Sequence, residues 1–247
     1  MESYFAAARA AHTENCWFLQ TRMHLAGWLP ARVVRLGVAV LLLVFDLEVE
    51  NNYRSGMARP RSFDETEVLS RAMEVFWTNG YAGTSPARLA EETGIGKGSL
   101  YNAFSSKREL FDECLNLYHQ QIKEFAQTAL ERPGTTRECI GNALRSVVDS
   151  DVAQQFRRGC LIGNTVVEMG GHDPALARKL RQMQDESTGW FAARIAQGKR
   201  DGDVSLDVDP QAVAEHFANT LAGLRVMSMT HEAPILHRII DTALSVL

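Results

Sequence analysis

Side chains that can bind a phosphate group or the edge of a base are concentrated between residues 85 and 107. Lys97 supplies a positive charge, and Tyr101 offers both a hydroxyl group and a ring face. Asn102 carries an amide that can pair with an adenine edge or a phosphate, and Gly98 lets the backbone approach a ligand closely. Residues of these types, in this order, indicate recognition of DNA.

Two short helices joined by a tight turn must hold these side chains in place. Ser85 is the predicted N-cap of the first helix, a proline follows it at the first helical position, and Gly94 ends the helix. Ile95 is the apolar residue of the turn, and its side chain is predicted to pack inward. The next helix runs from Lys97 to about Phe104, with Gly96 as its cap. The free N–H groups beside Ser85 form a ready site for a phosphate.

A longer helix upstream acts as a brace for the two short ones. It is predicted over about residues 64–79, with Asp64 as its cap and Gly80 just beyond its end. Its apolar residues recur at positions i, i+3, i+4 and i+7 and form one buried face, which consists of Leu69, Ala72, Met73 and Phe76. Two helices this short are not stable alone. We therefore expect a three-helix unit whose last helix enters a major groove.

The run GIGKGSLYNAFSSKREL resembles the signature of the TetR family of transcriptional regulators, which is roughly G-V-S-x-G-T-L-Y-x-x-F-x-S-K-E-x-L. The resemblance extends from about Arg59 to Tyr118. It departs from the pattern at Gly96, where the family usually has a serine, but glycine as a cap costs only about a few tenths of a kcal/mol. The resemblance implies that the DNA contacts are Ser85, Lys97, Gly98, Ser99, Tyr101, Asn102 and Lys107, with Arg59 and Arg61 in an arm that reaches an adjacent groove or the backbone.

Single residues of this set also have a simpler interpretation. Tyr101 could merely pack against its neighbours, and Lys97 could be a solvated surface lysine; the ordered set favours contact with DNA. The net charge of −4 excludes a basic coat over the whole surface, so the positive footprint must be a local patch. Specific binding to a double-stranded operator should therefore depend on a homodimer, which doubles that patch.

The first 56 residues differ in composition from the rest, and three interpretations are open for them. Their apolar run, Leu36 to Phe45, is only about half of the ~20 residues that span a bilayer. The segment could result from a start codon placed too early, so that the working chain begins at Met57. It could instead be a partner-binding amphipathic helix or a membrane anchor. We expect the first, an extension over 1–56 that is disordered or an artefact, and no membrane partner.

The rest of the chain shows helical periodicity and no convincing strand pattern, so the predicted fold class is all-α. We divide it into a helix-turn-helix domain over 57–106 and a helical ligand-binding and dimerisation domain over 107–247. A long helix from about residue 106 to 129 links the two. Five more helices are predicted, over about 135–154, 159–169, 174–198, 210–230 and 233–247. The last two carry apolar and small residues that suit a homodimer interface.

The segment RGCLIGNTVVEMGGHDP holds the residues that could sense a signal. Cys160 follows two arginines and lies near a helix start, and both features stabilise the thiolate that reacts with electrophiles and oxidants. Similar GCL-x-x-N-x-x-x-E segments occur in TetR-like repressors that respond to N-ethylmaleimide or acrylate, which implies a sensing role. A cysteine that only packs is the alternative. Asn164 and Glu168, four residues apart, could give a pocket its polar groups or bind a structural partner.

The remaining composition argues against other kinds of site. The four cysteines have no CxxC pairing, which favours a reducing, cytoplasmic compartment over a disulfide framework. The seven histidines are scattered and form no HExxH motif. We therefore expect no metal site and no cofactor.

Three functions are compatible with these observations. The leading hypothesis is a homodimeric repressor on a palindromic operator, released by a small-molecule or electrophile inducer. A DNA-binding activator or architectural protein without a ligand is the first alternative. A cysteine-dependent enzyme with Cys160 as nucleophile is the second, and the helix-turn-helix signature argues against it. We therefore predict that the protein is not an enzyme.

Overall fold

Helices account for all the regular structure in the computed structural model, which describes residues 64–247. In chain order they are α1 (Glu65–Asn79), α2 (Pro86–Thr93), α3 (Lys97–Phe104), α4 (Lys107–Leu130), α5 (Thr136–Ala153), α6 (Leu161–Met169), α7 (Pro174–Asp201), α8 (Pro210–Met227) and α9 (Ala233–Ala243), followed by a 3₁₀ turn (Leu244–Val246). The all-α prediction is confirmed. The segment 1–56, together with Arg59 and Arg61, lies outside the described residues. Within 64–247, no helix is long and apolar enough to cross a membrane.

Most of these helices begin at a side chain that accepts a hydrogen bond from the first turn, which satisfies an N–H group that a helix start leaves free. The Asp64 carboxylate accepts from the Thr66 N–H at 2.8 Å. Thr135 and Glu138 form a complete capping box at the start of α5. The other side-chain caps are Ser85, Ser106, Cys160, Asp173 and Asp209. Local sequence therefore determines where these helices begin.

The first of two hydrophobic cores joins the helix-turn-helix unit to later helices. Phe76 of α1 and Phe111 of α4 are buried and meet edge to face, with ring centroids 4.8 Å apart. Leu89 of α2 and Leu100 of α3 are fully buried in the same core. Residues of α6 and α7 complete it, namely Leu161, Ile162, Leu176, Leu180 and Met183. Because α1–α3 share their core with α6 and α7, a displacement of α6 would change the packing of α1–α3.

The second core lies among α5, α7, α8 and α9. Ile140, Ile195 and Phe217 are fully buried there. The first half of α4 contributes to the first core and its last two turns contribute to the second. One continuous helix therefore connects the two cores.

Four helix boundaries differ from the prediction by two residues or more. α8 ends at Met227 rather than at about residue 230, and α9 ends at Ala243 rather than at about residue 247, where the 3₁₀ turn begins. The other two differences have a local cause. α6 begins at Leu161 rather than Gly159, because Gly159 has a φ of +65° and Cys160 is extended as the N-cap. α7 continues past the predicted end at Gly198 and reaches Asp201. It stops where Gly202 adopts the left-handed conformation, which favours glycine.

Candidate nucleic-acid interface and cysteine site

α2, the following turn and α3 form a helix-turn-helix whose geometry follows from its caps. The Ser85 hydroxyl oxygen accepts a hydrogen bond from the Arg88 N–H at 3.2 Å. Gly94 ends α2 with φ 73° and ψ 12°, the left-handed conformation that costs glycine little. Gly96 starts α3 in an extended conformation and provides no side-chain cap. Both helices therefore begin and end as the sequence predicts.

The outer side of α3 presents the predicted contact residues. Leu100 is fully buried and holds α3 on the core. Lys97, Gly98, Ser99 and Asn102 are exposed, and Tyr101 is partly buried. Apart from Gly98 itself, its two neighbours in the chain and the backbone of α3, no atom of residues 64–247 lies within 4 Å of the place that a Cβ on Gly98 would occupy. Packing within the described chain does not require glycine there, which is consistent with a close approach by a ligand.

Lys107 lies against an aromatic ring. Its Nζ is 4.2 Å from the centroid of the Tyr81 ring, which is a cation–π geometry. Burial lowers the pKa of Lys107, and the nearby Glu168 carboxylate opposes that change. Burial raises the pKa of Tyr101, and Tyr81 adds to that increase. Tyr81, which the sequence analysis did not single out, therefore interacts with two of the predicted contact residues.

The start of α2 carries a cation that the sequence analysis also passed over. Arg88 is exposed, like the Ser85 cap three residues before it. A guanidinium beside a helix N-terminus strengthens the attraction of that end for a phosphate. The position of an arginine one turn after an N-cap serine is the signal that identifies it.

Cys160 is the N-cap of α6 and is only partly buried. Its Sγ accepts a hydrogen bond from the Gly163 N–H at 3.4 Å. Cys114 and Cys139 are buried, and burial raises the pKa of the Cys114 thiol well above its ordinary value. Among the cysteines in residues 64–247, Cys160 is therefore the one that a reagent can reach.

A buried ion pair lies near the cysteine. The Arg225 Nε is 3.0 Å from Oδ2 of Asp151, and the same guanidinium donates to the Gly159 carbonyl. Asp151 is 4% exposed and also accepts from the Ser228 hydroxyl at 3.1 Å. Burial raises the pKa of Asp151, and Arg225 and Ser228 oppose that increase. The pair fixes α8 to α5 and to the backbone just before Cys160.

The guanidinium that binds the backbone just before Cys160 is that of Arg225, whereas the sequence pointed to the two arginines that precede the cysteine. Arg157 and Arg158 are turned toward acidic partners of their own. Burial raises the pKa of Tyr118, Cys160 adds to that increase, and Arg225 opposes it. The thiol environment is therefore set by residues that are distant in sequence.

Arg158 binds the C-terminal half of α1. Its guanidinium carbon is 4.1 Å from the centroid of the Trp77 ring, and the group is paired with the Glu74 carboxylate. The indole N–H of Trp77 donates to the Gly159 carbonyl at 3.2 Å. The segment just before Cys160 is thus attached to α1.

Asn164 and Glu168 line a cavity of about 140 Å³ between α1 and α6. The Asn164 amide donates to the Arg158 carbonyl at 2.8 Å. The Glu168 carboxylate accepts from the N–H groups of Tyr81 and Ala82, at 3.0 and 2.7 Å. Both side chains therefore have structural partners, and the cysteine is not among the residues that line the cavity.

Two family profiles match this sequence. The profile of bacterial regulatory proteins, tetR family, matches residues 68–114, which include most of α1, all of α2 and α3 and the start of α4. The profile of the tetracyclin repressor-like C-terminal domain matches residues 137–243, which span α5 to α9. The helix-turn-helix formed by α2, the turn and α3 lies wholly within the first match.

Individual relatives agree with the profiles. The uncharacterized HTH-type transcriptional regulator YezE of Bacillus subtilis (strain 168) is 31% identical over 193 residues, which cover 77% of this chain and 100% of that protein. The HTH-type transcriptional repressor ComR of Escherichia coli (strain K12) is 25% identical over 178 residues, covering 70% and 83%. A cysteine mutant of the TetR family transcriptional regulator CifR, complexed with 26-bp double-strand operator DNA, is 34% identical with a TM-score of 0.70, covering 76% of this chain and 98% of that one.

Proposed function

The chain belongs to the TetR family of bacterial regulatory proteins, and on that premise we propose that it represses transcription as a homodimer on a two-fold symmetric operator. A small-molecule inducer that reacts with a thiol releases it. The observation that carries the proposal is the exposed row of residues on α3, whose types match phosphates and base edges. The relative ComR is named a repressor, and CifR was solved on operator DNA.

In the proposed complex, α3 of each protomer enters a major groove, and the N-terminus of α2 faces the DNA backbone. The domain division follows, with DNA binding in 57–106 and regulation and dimerisation in 107–247. The α3 residues supply the base and phosphate contacts, and the arm reaches an adjacent groove. The proposed contact residues are Arg59, Arg61, Ser85, Lys97, Gly98, Ser99, Tyr101, Asn102 and Lys107, to which we add Arg88.

The proposed dimer interface is formed by α8 and α9. An open groove of about 580 Å³ runs along them. Ile235 and Val226 are 37% and 67% exposed, and the small residues Ala222 and Gly223 are exposed on α8. A second copy related by a two-fold axis would cover these apolar side chains and form a four-helix interface.

A mobility-shift experiment on the intergenic DNA upstream of the gene tests operator binding. We expect a discrete complex at submicromolar protein, with a two-fold symmetric footprint whose half-sites lie about one helical turn apart or a multiple of it. Scrambled DNA of equal length is the control. A reporter gene behind the same DNA separates repression from activation, and a reporter that needs the protein for expression would contradict repression.

The proposed sensing residue is Cys160, because it combines access with a structural role. Its thiol is partly exposed, and the Arg225 guanidinium binds the backbone carbonyl of the residue before it. Its Sγ also caps α6 through the Gly163 N–H. The thiolate would add to the double bond of an electrophile, and the adjacent carbon would take a proton from water. The added bulk at the cap displaces the start of α6, and the Arg158 and Trp77 contacts carry the displacement to α1.

Replacing Cys160 with serine is expected to abolish the response to a thiol-reactive inducer while operator affinity in its absence stays within about threefold, since a hydroxyl can also cap a helix. Operator affinity is measured before and after treatment with N-ethylmaleimide. N-ethylsuccinimide, which has the same shape but no reactive double bond, is the matched control. We expect N-ethylmaleimide to release wild-type protein only. Release of Cys160→Ser by N-ethylmaleimide would assign the sensing to another residue.

A further inference from the structure

A carboxylate of the regulatory half binds the backbone of the DNA-binding unit. Glu168, on the last turn of α6, accepts two hydrogen bonds in the turn between α1 and α2. Its Oε1 is 2.7 Å from the Ala82 nitrogen and its Oε2 is 3.0 Å from the Tyr81 nitrogen. Hydrogen bonds to an ionised acceptor are stronger than those between neutral groups. Both oxygens of one side chain therefore hold two consecutive N–H groups of the turn.

The turn is shaped to receive this carboxylate. Gly80 adopts a φ of +73°, and a Cβ added to it would lie 2.9 Å from Oε2 of Glu168. Any residue other than glycine at this position would be strained and would also crowd the carboxylate. Gly80 thus ends α1 and makes room for a side chain that is 88 residues later in the sequence.

The same turn sets the position of the predicted DNA contacts. The Thr84 hydroxyl is buried and donates to the Gly80 carbonyl at 2.7 Å, so the turn leads rigidly into the Ser85 cap of α2. The Tyr81 ring lies 4.2 Å below the Lys107 ammonium at the start of α4. A displacement of the Tyr81 backbone would therefore move the N-terminus of α2 and also the Tyr81 ring against which the Lys107 ammonium packs.

We propose that Glu168 is a positioning residue for operator binding, which acts through the Tyr81 and Ala82 N–H groups and does not touch the DNA. This inference rests on the proposed DNA-binding function. Because Glu168 belongs to α6, the position of α6 would set the position and angle of α2 relative to the operator. With Cys160 at the N-terminal end of α6 and Glu168 in its last turn, one short helix carries both the proposed trigger and its connection to the DNA-binding unit.

The sign of the effect separates positioning from simple electrostatics. Replacing Glu168 with glutamine removes a negative charge near Lys107, and charge alone would then raise the affinity for DNA. Glutamine also replaces one acceptor oxygen with an NH₂ group, which cannot accept from the turn. Positioning therefore predicts a loss of operator affinity of about tenfold.

The experiment measures the operator affinity of full-length Glu168→Gln, Glu168→Asp and Glu131→Gln by fluorescence anisotropy. Aspartate keeps the charge, but it is one methylene too short to reach both N–H groups. Glu131 is an exposed carboxylate, so its glutamine variant makes the same change of charge as a matched control. Hydrogen–deuterium exchange of the peptide that contains Tyr81 and Ala82 reports directly whether the turn has been released.

We expect both Glu168 variants to exchange faster at this peptide and to bind the operator more weakly, with Glu131→Gln unchanged in both measurements. Operator affinity that is unchanged or higher in Glu168→Gln, despite faster exchange in the turn, would overturn the inference. Wild-type binding is measured in the same assay. A wild-type protein that binds no operator contradicts the proposed function, whereas wild-type binding that Glu168→Gln preserves contradicts only the positioning role.

Discussion

Replacing Lys97 with alanine is expected to lower operator affinity by about a hundredfold or more, without a change in the fold. Lys97 is the exposed first residue of α3, and among the described residues it belongs to neither hydrophobic core. A specific contact to a base edge contributes roughly 1–3 kcal/mol, and a homodimer loses two of them. About 1.4 kcal/mol corresponds to a factor of ten. The loss of one such contact in each protomer therefore lowers operator affinity about a hundredfold.

The salt dependence of binding distinguishes the two kinds of contact that a lysine can make. If Lys97 binds a phosphate, the slope of log K against log salt should fall by about one for each lysine removed, hence by about two for the dimer. If it binds a guanine edge, specificity at one base pair of each half-site should relax instead. Lys123→Ala, an exposed lysine of α4, is the matched control. Wild-type affinity in a folded, dimeric Lys97→Ala would contradict the assignment of α3 to the major groove.

The DNA-binding unit could be predicted from the sequence because its geometry depends on neighbours in the chain. Ser85 caps α2 through a residue three positions away, and Gly94 ends α2 with its own backbone conformation. Helical spacing predicted the burial of Ala72, Met73 and Phe76 in α1, which is confirmed. Leu69 is only partly buried, and the spacing missed the buried Val68 and Val75. Rules that act over three or four residues suffice for such a unit.

The connections between the two halves could not be predicted in the same way. The hydrogen bonds of Glu168 to the turn and of Arg158 to Glu74 join residues 84 to 87 positions apart. No local pattern specifies such a partner, because the pairing exists only after α6 has packed on α1. The sequence therefore singled out Glu168 by type and spacing, but not the backbone groups that it binds.

The environment of Cys160 illustrates the same limit. Sequence proximity favoured Arg157 and Arg158 as the cations that act on the thiol, yet both have acidic partners elsewhere. The guanidinium that binds the backbone next to Cys160 is that of Arg225, from a helix more than 60 residues further along the chain. Tertiary packing, which no local pattern specifies, therefore decides which guanidinium binds next to this cysteine.

Replacing Arg225 with methionine is expected to lower the free energy of unfolding by about 3–5 kcal/mol at neutral pH, the usual cost of leaving one partner of a buried ion pair without the other. The side chains of Arg225 and Asp151 are only 14% and 5% exposed. Methionine preserves most of the volume, so the loss comes chiefly from the unpaired Asp151 carboxylate rather than from a cavity. The donation from Arg225 to the Gly159 carbonyl is lost as well.

The destabilisation should depend on pH in a direction that follows from Asp151. Burial already raises the pKa of Asp151 above its ordinary value of 3.8, and Arg225 opposes that increase. Without Arg225 the folded-state pKa rises further, so the folded protein binds this proton more tightly than the unfolded chain does. The loss in the free energy of unfolding of Arg225→Met, measured against wild type, should therefore shrink as the pH falls through the folded-state pKa of Asp151 toward 3.8. The loss should grow as the pH rises through that pKa.

The double variant Asp151→Asn with Arg225→Met identifies the cause. Asparagine carries no charge and can still accept from the Ser228 hydroxyl, so most of the lost stability should return in the double variant, and its pH dependence should disappear. Urea unfolding of all four proteins between pH 5 and 8 gives the coupling free energy. If Asp151→Asn instead lowers the free energy of unfolding by the same amount with and without Arg225→Met, the ion pair is not the cause of the destabilisation. In that case the contact of Arg225 with the Gly159 carbonyl, just before Cys160, is what holds this part of the fold together.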